Sequence, residues 1–288
     1  MDDNCIDNII LNRGTREDSM KKCILSFLVM TVFAASSAFA QKGGNVITPE
    51  VAGGWLIGPI AGINLVTYST DKFPVLSNEP GCFEAQNGSD VAPFFGVSAL
   101  LPLNAEEMQS FIMIEALFDS KSSKFTAVNG GSVSVPTKLN GVEGPGSVNT
   151  GANATLNYAM INLGYKYNFT PAVTPVGPSI QVCAEVGFKI TSNITKSVTV
   201  SAVTNATTPP TVQEKNVANA TAVTNASGIR LGLRAMFAYD IPVSDTWVAS
   251  PTAGYDLALS KVSSGAAPAN WKANAAFVGV AFRALIGR

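Results

Sequence analysis

Polar and apolar residues alternate with a period of two along most of the chain, the signature of half-buried β-strands. Eight segments carry the pattern, near 51–67, 91–103, 109–119, 155–168, 178–192, 228–241, 246–260 and 273–286. In 109–119, Ile112, Ile114, Ala116 and Phe118 share one face, and Phe111, Met113, Glu115 and Leu117 the other. In 178–192, Ile180, Val182, Ala184, Val186, Phe188 and Ile190 oppose Ser179, Gln181, Cys183, Glu185, Gly187 and Lys189. In 228–241, Ile229, Leu231, Leu233, Ala235, Phe237 and Tyr239 oppose Arg230, Gly232, Arg234, Met236, Ala238 and Asp240. In the last segment Val278, Val280 and Phe282 oppose Phe277, Gly279 and Arg283.

The connections alternate in length. Short ones follow the second, fourth and sixth segments, at 104–107, 170–177 and 242–245; long ones, near 68–90, 120–154, 193–227 and 261–272, follow the others and are rich in Asn, Ser, Thr, Gly and Pro. An all-β, eight-stranded antiparallel up-and-down transmembrane β-barrel has this arrangement, with short periplasmic turns and long outer loops. A soluble barrel or sandwich alternates too. The polar faces favour the membrane barrel, because they carry small residues with isolated charges instead of the Lys and Glu of a water-facing strand. The opposite faces are apolar at nearly every position.

Aromatic residues gather at the segment ends, as interfacial girdles require. Trp55 and Trp247 open upward strands; Tyr165, Tyr167 and Tyr239 close downward ones; Trp271, like Tyr68 and Phe118, falls near an outer end.

Composition narrows the picture. The 288 residues are 47% hydrophobic and only 14% charged, where a soluble domain carries about 25%. There is no His, which removes His-dependent hydrolysis and His-bound zinc. Lys+Arg of 19 against Asp+Glu of 20 argues against a nucleic-acid partner. Met20-Lys21-Lys22, the apolar run Cys23–Phe33 and the small residues ending Ala38-Phe39-Ala40 form a cleavable export signal over 20–40. Residues 1–19 then read as a start-site artefact, 41–50 as a periplasmic N-terminal segment and 51–288 as the barrel. Cleavage leaves two cysteines, Cys82 and Cys183, which are expected at different heights and unpaired.

With these features the chain resembles the PorT-like outer-membrane β-barrel family, a relative of the small OmpA/OmpX-type barrels, over about residues 50–286. Ala61-Gly62-Ile63-Asn64-Leu65 is similar to the family's A-G-x-N-hydrophobic opening. Tyr158-Ala159-Met160-Ile161-Asn162-Leu163-Gly164-Tyr165-Lys166-Tyr167 is similar to its Y-L-x-I-P-L-x-x-K-Y strand, with Asn162 in place of Pro. The chain ends on Arg288 where the family commonly ends on an aromatic residue. The resemblance implies the outer membrane of a Gram-negative bacterium, lipid contact and handling by barrel-assembly machinery.

The expected lumen charges are Glu115, Lys166, Glu185, Lys189, Arg230, Arg234, Asp240, Asp256 and Arg283. Lys166, Asp240 and Arg283 count to the periplasmic end, Glu115, Glu185 and Arg234 to mid-height, and Lys189, Arg230 and Asp256 nearer the outside. The leading expectation is a structural ion-pair network, because a lone buried charge costs several kcal/mol. A narrow pore in which Arg234 exchanges partners is the second. A catalytic carboxylate pair of Glu115 and Glu185 is the third, opposed by Arg234, which holds both acids ionised. The loop 193–227, with Val198-Thr199-Val200 and Val212-Gln213 flanking Thr208-Pro209-Pro210, reads as a hairpin and as the place for a surface ligand. The reading is a monomeric barrel without cofactor, metal or enzymatic activity, in a structural, surface-interaction or narrow-pore role. The alternative is a soluble lipocalin-like barrel binding an apolar ligand.

Overall fold

The computed structural model describes residues 54–71, 73–74, 84–103, 108–127, 132–139, 142–170, 175–203, 212–222, 226–263 and 270–286. The expected start-site segment, export signal and N-terminal segment lie outside these residues, as do Cys82 and the Thr208-Pro209-Pro210 tip.

Within them the chain forms twelve strands: β1 (Trp55–Ser69), β2 (Phe73–Pro74), β3 (Glu84–Pro102), β4 (Ser110–Ser120), β5 (Ser123–Ala127), β6 (Ser132–Leu139), β7 (Val142–Asn168), β8 (Gly177–Val203), β9 (Val212–Ala222), β10 (Ile229–Pro242), β11 (Trp247–Ala258) and β12 (Lys272–Ile286). Eight of them, β1, β3, β4, β7, β8, β10, β11 and β12, pair antiparallel with their neighbours in chain order, and β12 pairs back to β1. The sheet is therefore a closed eight-stranded antiparallel barrel.

The stagger of the barrel follows from the register. The line of partners runs Asn168–Ser179–Ala238–Thr252–Gly279–Gly62–Phe94–Asp119–Tyr158. It leaves β7 at Asn168 and returns to β7 at Tyr158, ten residues away. Eight strands with that stagger tilt by roughly 40°, as closed membrane and soluble barrels of this size do. Every residue on this line faces inward by the period-two rule. The interior is thus set by residue parity on each strand.

The long connections differ from expectation. The segments 68–90, 120–154 and 193–227, read as loops with one hairpin, contribute strand extensions and hairpins. β3 begins at Glu84, β7 at Val142, and β8 continues to Val203. β6 pairs with the start of β7, β7 with β8 as far as Gly146↔Ala202, and β8 with β9 from Asn193↔Ala222 to Val203↔Val212. The 193–227 segment is rich in Thr and Val, which favour extended backbone, and there ladder pairing continues past the apolar part of the barrel. A bulge in β3 places Asn87 at φ 49°, a left-handed conformation that Asn tolerates.

A charged barrel interior beneath an apolar exterior

Three linked groups of side chains fill the lumen. At the short-turn end, Lys166 on β7 reaches Asp240 on β10, with Nζ 2.5 Å from Oδ2 and 2.7 Å from Oδ1. Ser250 donates to the same carboxylate at 2.6 Å. Arg283 on β12 donates to the hydroxyls of Ser98 and Ser250 at 2.9–3.1 Å. At mid-height, Arg234 lies 3.5 Å from Glu185 and 3.8 Å from Glu115, and Asn162 donates to Glu115 at 3.0 Å. Above them, Arg230 spans Glu185 at 3.1 Å and Asp256 at 2.6 Å. Lys121 completes the chain, 2.6 Å from Asp256 and 3.1 Å from Asp119, and Asn64 donates to Asp119 at 2.6 Å.

All these charges are buried, five acids (Glu115, Asp119, Glu185, Asp240, Asp256) against five bases (Lys121, Lys166, Arg230, Arg234, Arg283). The balance matters, because a buried ion is tolerated only when paired and hydrogen-bonded. Aromatic rings share the space. The Arg234 guanidinium stands 4.0 Å from the Phe277 ring centre and 5.0 Å from that of Phe94. Inward glycines clear room for these rings: a β-carbon on Gly62 would stand 2.5 Å from Phe94 Cζ, and one on Gly254 2.7 Å from Phe277 Cζ. Tyr68, Phe125 and Trp271 pack together at the long-loop end with ring centres 5.3–5.7 Å apart. The Tyr68 hydroxyl donates to the Lys121 carbonyl. Met108, Phe111 and Leu100 are buried at the other end.

Eight of the nine expected lumen charges therefore sit inside the barrel. Lys189 does not. It is exposed, and its Nζ donates to the Ala226 carbonyl at 3.2 Å. The reason is local: β10 pairs with β8 only as far as Ile229↔Phe188, and a bulge follows at Asn157/Tyr158. Lys189 thus stands at the rim, where parity no longer points into an enclosed space. Asp119 and Lys121 escaped the sequence reading, although both continue the inward parity of Glu115 and Leu117. Cys183 is a buried free thiol facing inward. Among the described residues no group of three or more Cys, Asp and Glu side chains could hold a metal ion.

The outward face is of opposite character. Val91, Phe95 and Val97 on β3, Ile161 and Leu163 on β7, Val182 and Phe188 on β8, and Leu231 and Leu233 on β10 are all 43% or more exposed. From Ile57 to Leu65, Val91 to Leu101, Ile161 to Tyr167, Ile180 to Ile190 and Ile229 to Ile241, no outward position is charged. Of the expected girdle, Trp55, Tyr165 and Trp247 are well exposed, and Tyr167 and Tyr239 partly so. Trp271 is the exception: it is wholly buried against Tyr68 and Phe125. Its position shares the inward parity of Ala273, Ala275 and Phe277.

Fold and site together define a closed eight-stranded antiparallel barrel, apolar outside and charged inside. No protein family matches the chain by sequence, and no curated protein does. Among solved structures it is similar to Ail, the attachment invasion locus protein of Yersinia pestis, at 9% identity over 80% of this chain and 99% of that one, with a TM-score of 0.31. The same protein in complex with the heparin analogue sucrose octasulfate matches at 7% identity, with the same coverage and score. The CymD monoaromatic hydrocarbon channel matches at 8% identity over 80% of this chain and 89% of that one, with a TM-score of 0.16.

Proposed function

We propose that this chain is a small outer-membrane β-barrel of the OmpA/OmpX type, non-enzymatic and monomeric, whose exterior meets lipid and whose lumen is closed by its ion-pair network. One observation carries the reading: a continuous uncharged apolar exterior surrounds a core of buried ion pairs. In water that arrangement is inverted, since exposed apolar patches on soluble monomers seldom exceed a few hundred Å². In a bilayer it satisfies both faces, with the strand backbones paired around the closed ladder. The outward run Ile229–Ile241 spans roughly 40 Å along the strand, or about 30 Å after tilting, enough for the apolar band of such a barrel.

The lumen reads as structural. Ten balanced charges fill a barrel whose strand number leaves room for side chains but no wide channel. The lipocalin-like alternative needs an apolar interior, and this interior is the most charged part of the molecule. The PorT-like resemblance and the export signal support delivery to the outer membrane through barrel-assembly machinery, and the β8–β9 hairpin, which stands beyond the barrel ladder, is the place for a surface ligand.

Expression from Met20, followed by fractionation and gel migration with and without boiling, tests the reading. Recovery with the outer membrane and a heat-dependent shift is expected. A soluble product whose migration ignores boiling overturns it.

A further inference from the structure

Among the described residues two buried Lys–Asp pairs cross the lumen, and their surroundings differ. Lys166 meets Asp240, its one carboxylate partner among those residues, and Ser250 shares that carboxylate. Lys121 meets two carboxylates, Asp256 at 2.6 Å and Asp119 at 3.1 Å, and all three side chains are wholly buried. Lys121 follows the end of β4, and Asp256 lies on β11 on the far wall, with three staves between them on either side. Each group is held from behind. The Lys121 backbone N–H donates to the Leu156 carbonyl at 2.7 Å, and the Lys121 carbonyl accepts from the Tyr68 hydroxyl. Asn64 donates to Asp119 Oδ1 at 2.6 Å, while Oδ2 meets the Lys121 Nζ. Arg230 donates to Asp256 Oδ1 at 2.6 Å, while Oδ2 accepts from the same Nζ. Here an amine, a carboxyl polarised by a guanidinium and a second carboxylate touching the amine come together in a site closed to bulk water.

We propose that Lys121 and Asp256 condense into an isopeptide bond, a covalent bolt across the lumen, with Asp119 as the proton carrier. The Lys121 ammonium passes one proton to Asp119 Oδ2, and the freed Nζ lone pair attacks Cγ of Asp256. Arg230 stabilises the negative charge on Oδ1 of the tetrahedral intermediate. Nζ then gives a second proton, and Asp119 returns the first, to Oδ2 of Asp256. The bond from Cγ to that oxygen breaks, water leaves, and one N–H remains on the new amide. One ammonium and one carboxylate disappear together, so the net charge of the lumen is unchanged and no further reactant is needed. Fixed contact supplies what a free amine and acid lack, an effective molarity on the order of 10⁵ M or more. Exclusion of water opposes the reverse hydrolysis. Afterwards Arg230 keeps Glu185, and Asn64 and the amide N–H serve Asp119. Lys166 and Asp240 have no second carboxylate at the amine among the described residues and stay an ion pair.

Intact-mass spectrometry of the wild-type chain purified in detergent, followed by denaturation and tryptic mapping, tests the bond. Wild type is expected to weigh one water less than its sequence. Trypsin should fail to cut after Lys121, and the segments carrying Lys121 and Asp256 should appear joined. Lys121→Arg keeps the positive charge but removes the condensing amine, so it should show the full mass and separate peptides. After boiling, wild type should migrate ahead of that variant, because the bond closes a loop in the unfolded chain. Asp119→Asn removes the proton carrier and should also restore the full mass, whereas Lys166→Arg should keep the deficit. Wild type at full mass, cut after Lys121, overturns the bond, and so does a deficit that survives Lys121→Arg. A deficit that survives Asp119→Asn overturns the assigned proton carrier.

Discussion

Removing one partner of a buried ion pair leaves the other charge uncompensated, so single side chains are the sensitive points of this interior. Lys166 and Asp240 show this best: both are wholly buried and bonded at 2.5–2.7 Å. Lys166→Met removes the ion pair of Asp240, leaving Ser250 as its hydrogen-bond donor and Arg283 nearby, and is expected to cost about 3–5 kcal/mol. Adding Asp240→Asn should recover most of that loss, as read from denaturant midpoints in detergent. A single variant as stable as wild type would show that the pair is not structural. Glycine clearance is a second test. Gly62→Ala drives a β-carbon into Phe94 and the Val278 carbonyl, an overpacking worth about 1–3 kcal/mol. Gly228→Ala, with nothing within 4 Å, should be neutral. At this scale parity made most of the interior legible in the sequence, Glu115, Glu185, Arg230 and Arg234 among it. It failed where a strand's end was misjudged. Lys121 lies one residue beyond β4, inside a stretch read as loop, and Lys189 passes the rim. Trp271 was placed by its position near a strand end, when its parity with Ala273 and Phe277 pointed inward.

The elements divide into barrel staves and extensions. The staves were legible because one face is uniformly apolar, which fixes register by penalising a one-residue slip. The extensions were not, because Thr, Ser, Asn and Val on both faces leave no amphipathic signal, and such segments read as loop. Their pairing is set by the strands they prolong. The β8–β9 hairpin should therefore be dispensable for the barrel. Thr195 and Ala220 are cross-strand partners, so replacing 196–219 with Asn-Gly joins them across a two-residue turn. The deletion also removes the β8 partners of Gly146–Ala152 on β7, so some stability is lost, but the ladder from Asn153↔Thr195 downward is intact and the heat-dependent migration is expected to persist. Loss of the shift would make the hairpin part of the folding unit.

For the whole molecule, a closed ladder makes inside and outside separate chemical environments. If the lumen is closed by its paired charges, as proposed, planar-bilayer recordings should show no wide, steady opening. Steady porin-sized currents would contradict the closed lumen. The central claim concerns the other surface, and arginine placed at two depths tests it most directly. Leu233 lies midway along β10 and faces outward, whereas Thr67 faces outward near the long-loop end of β1. If lipid covers the exterior, Leu233→Arg destabilises the barrel in bilayers by about 2–4 kcal/mol and Thr67→Arg by about 0–1 kcal/mol. If both substitutions are neutral and Leu233→Arg makes the protein more soluble, water covers the exterior and the account is wrong.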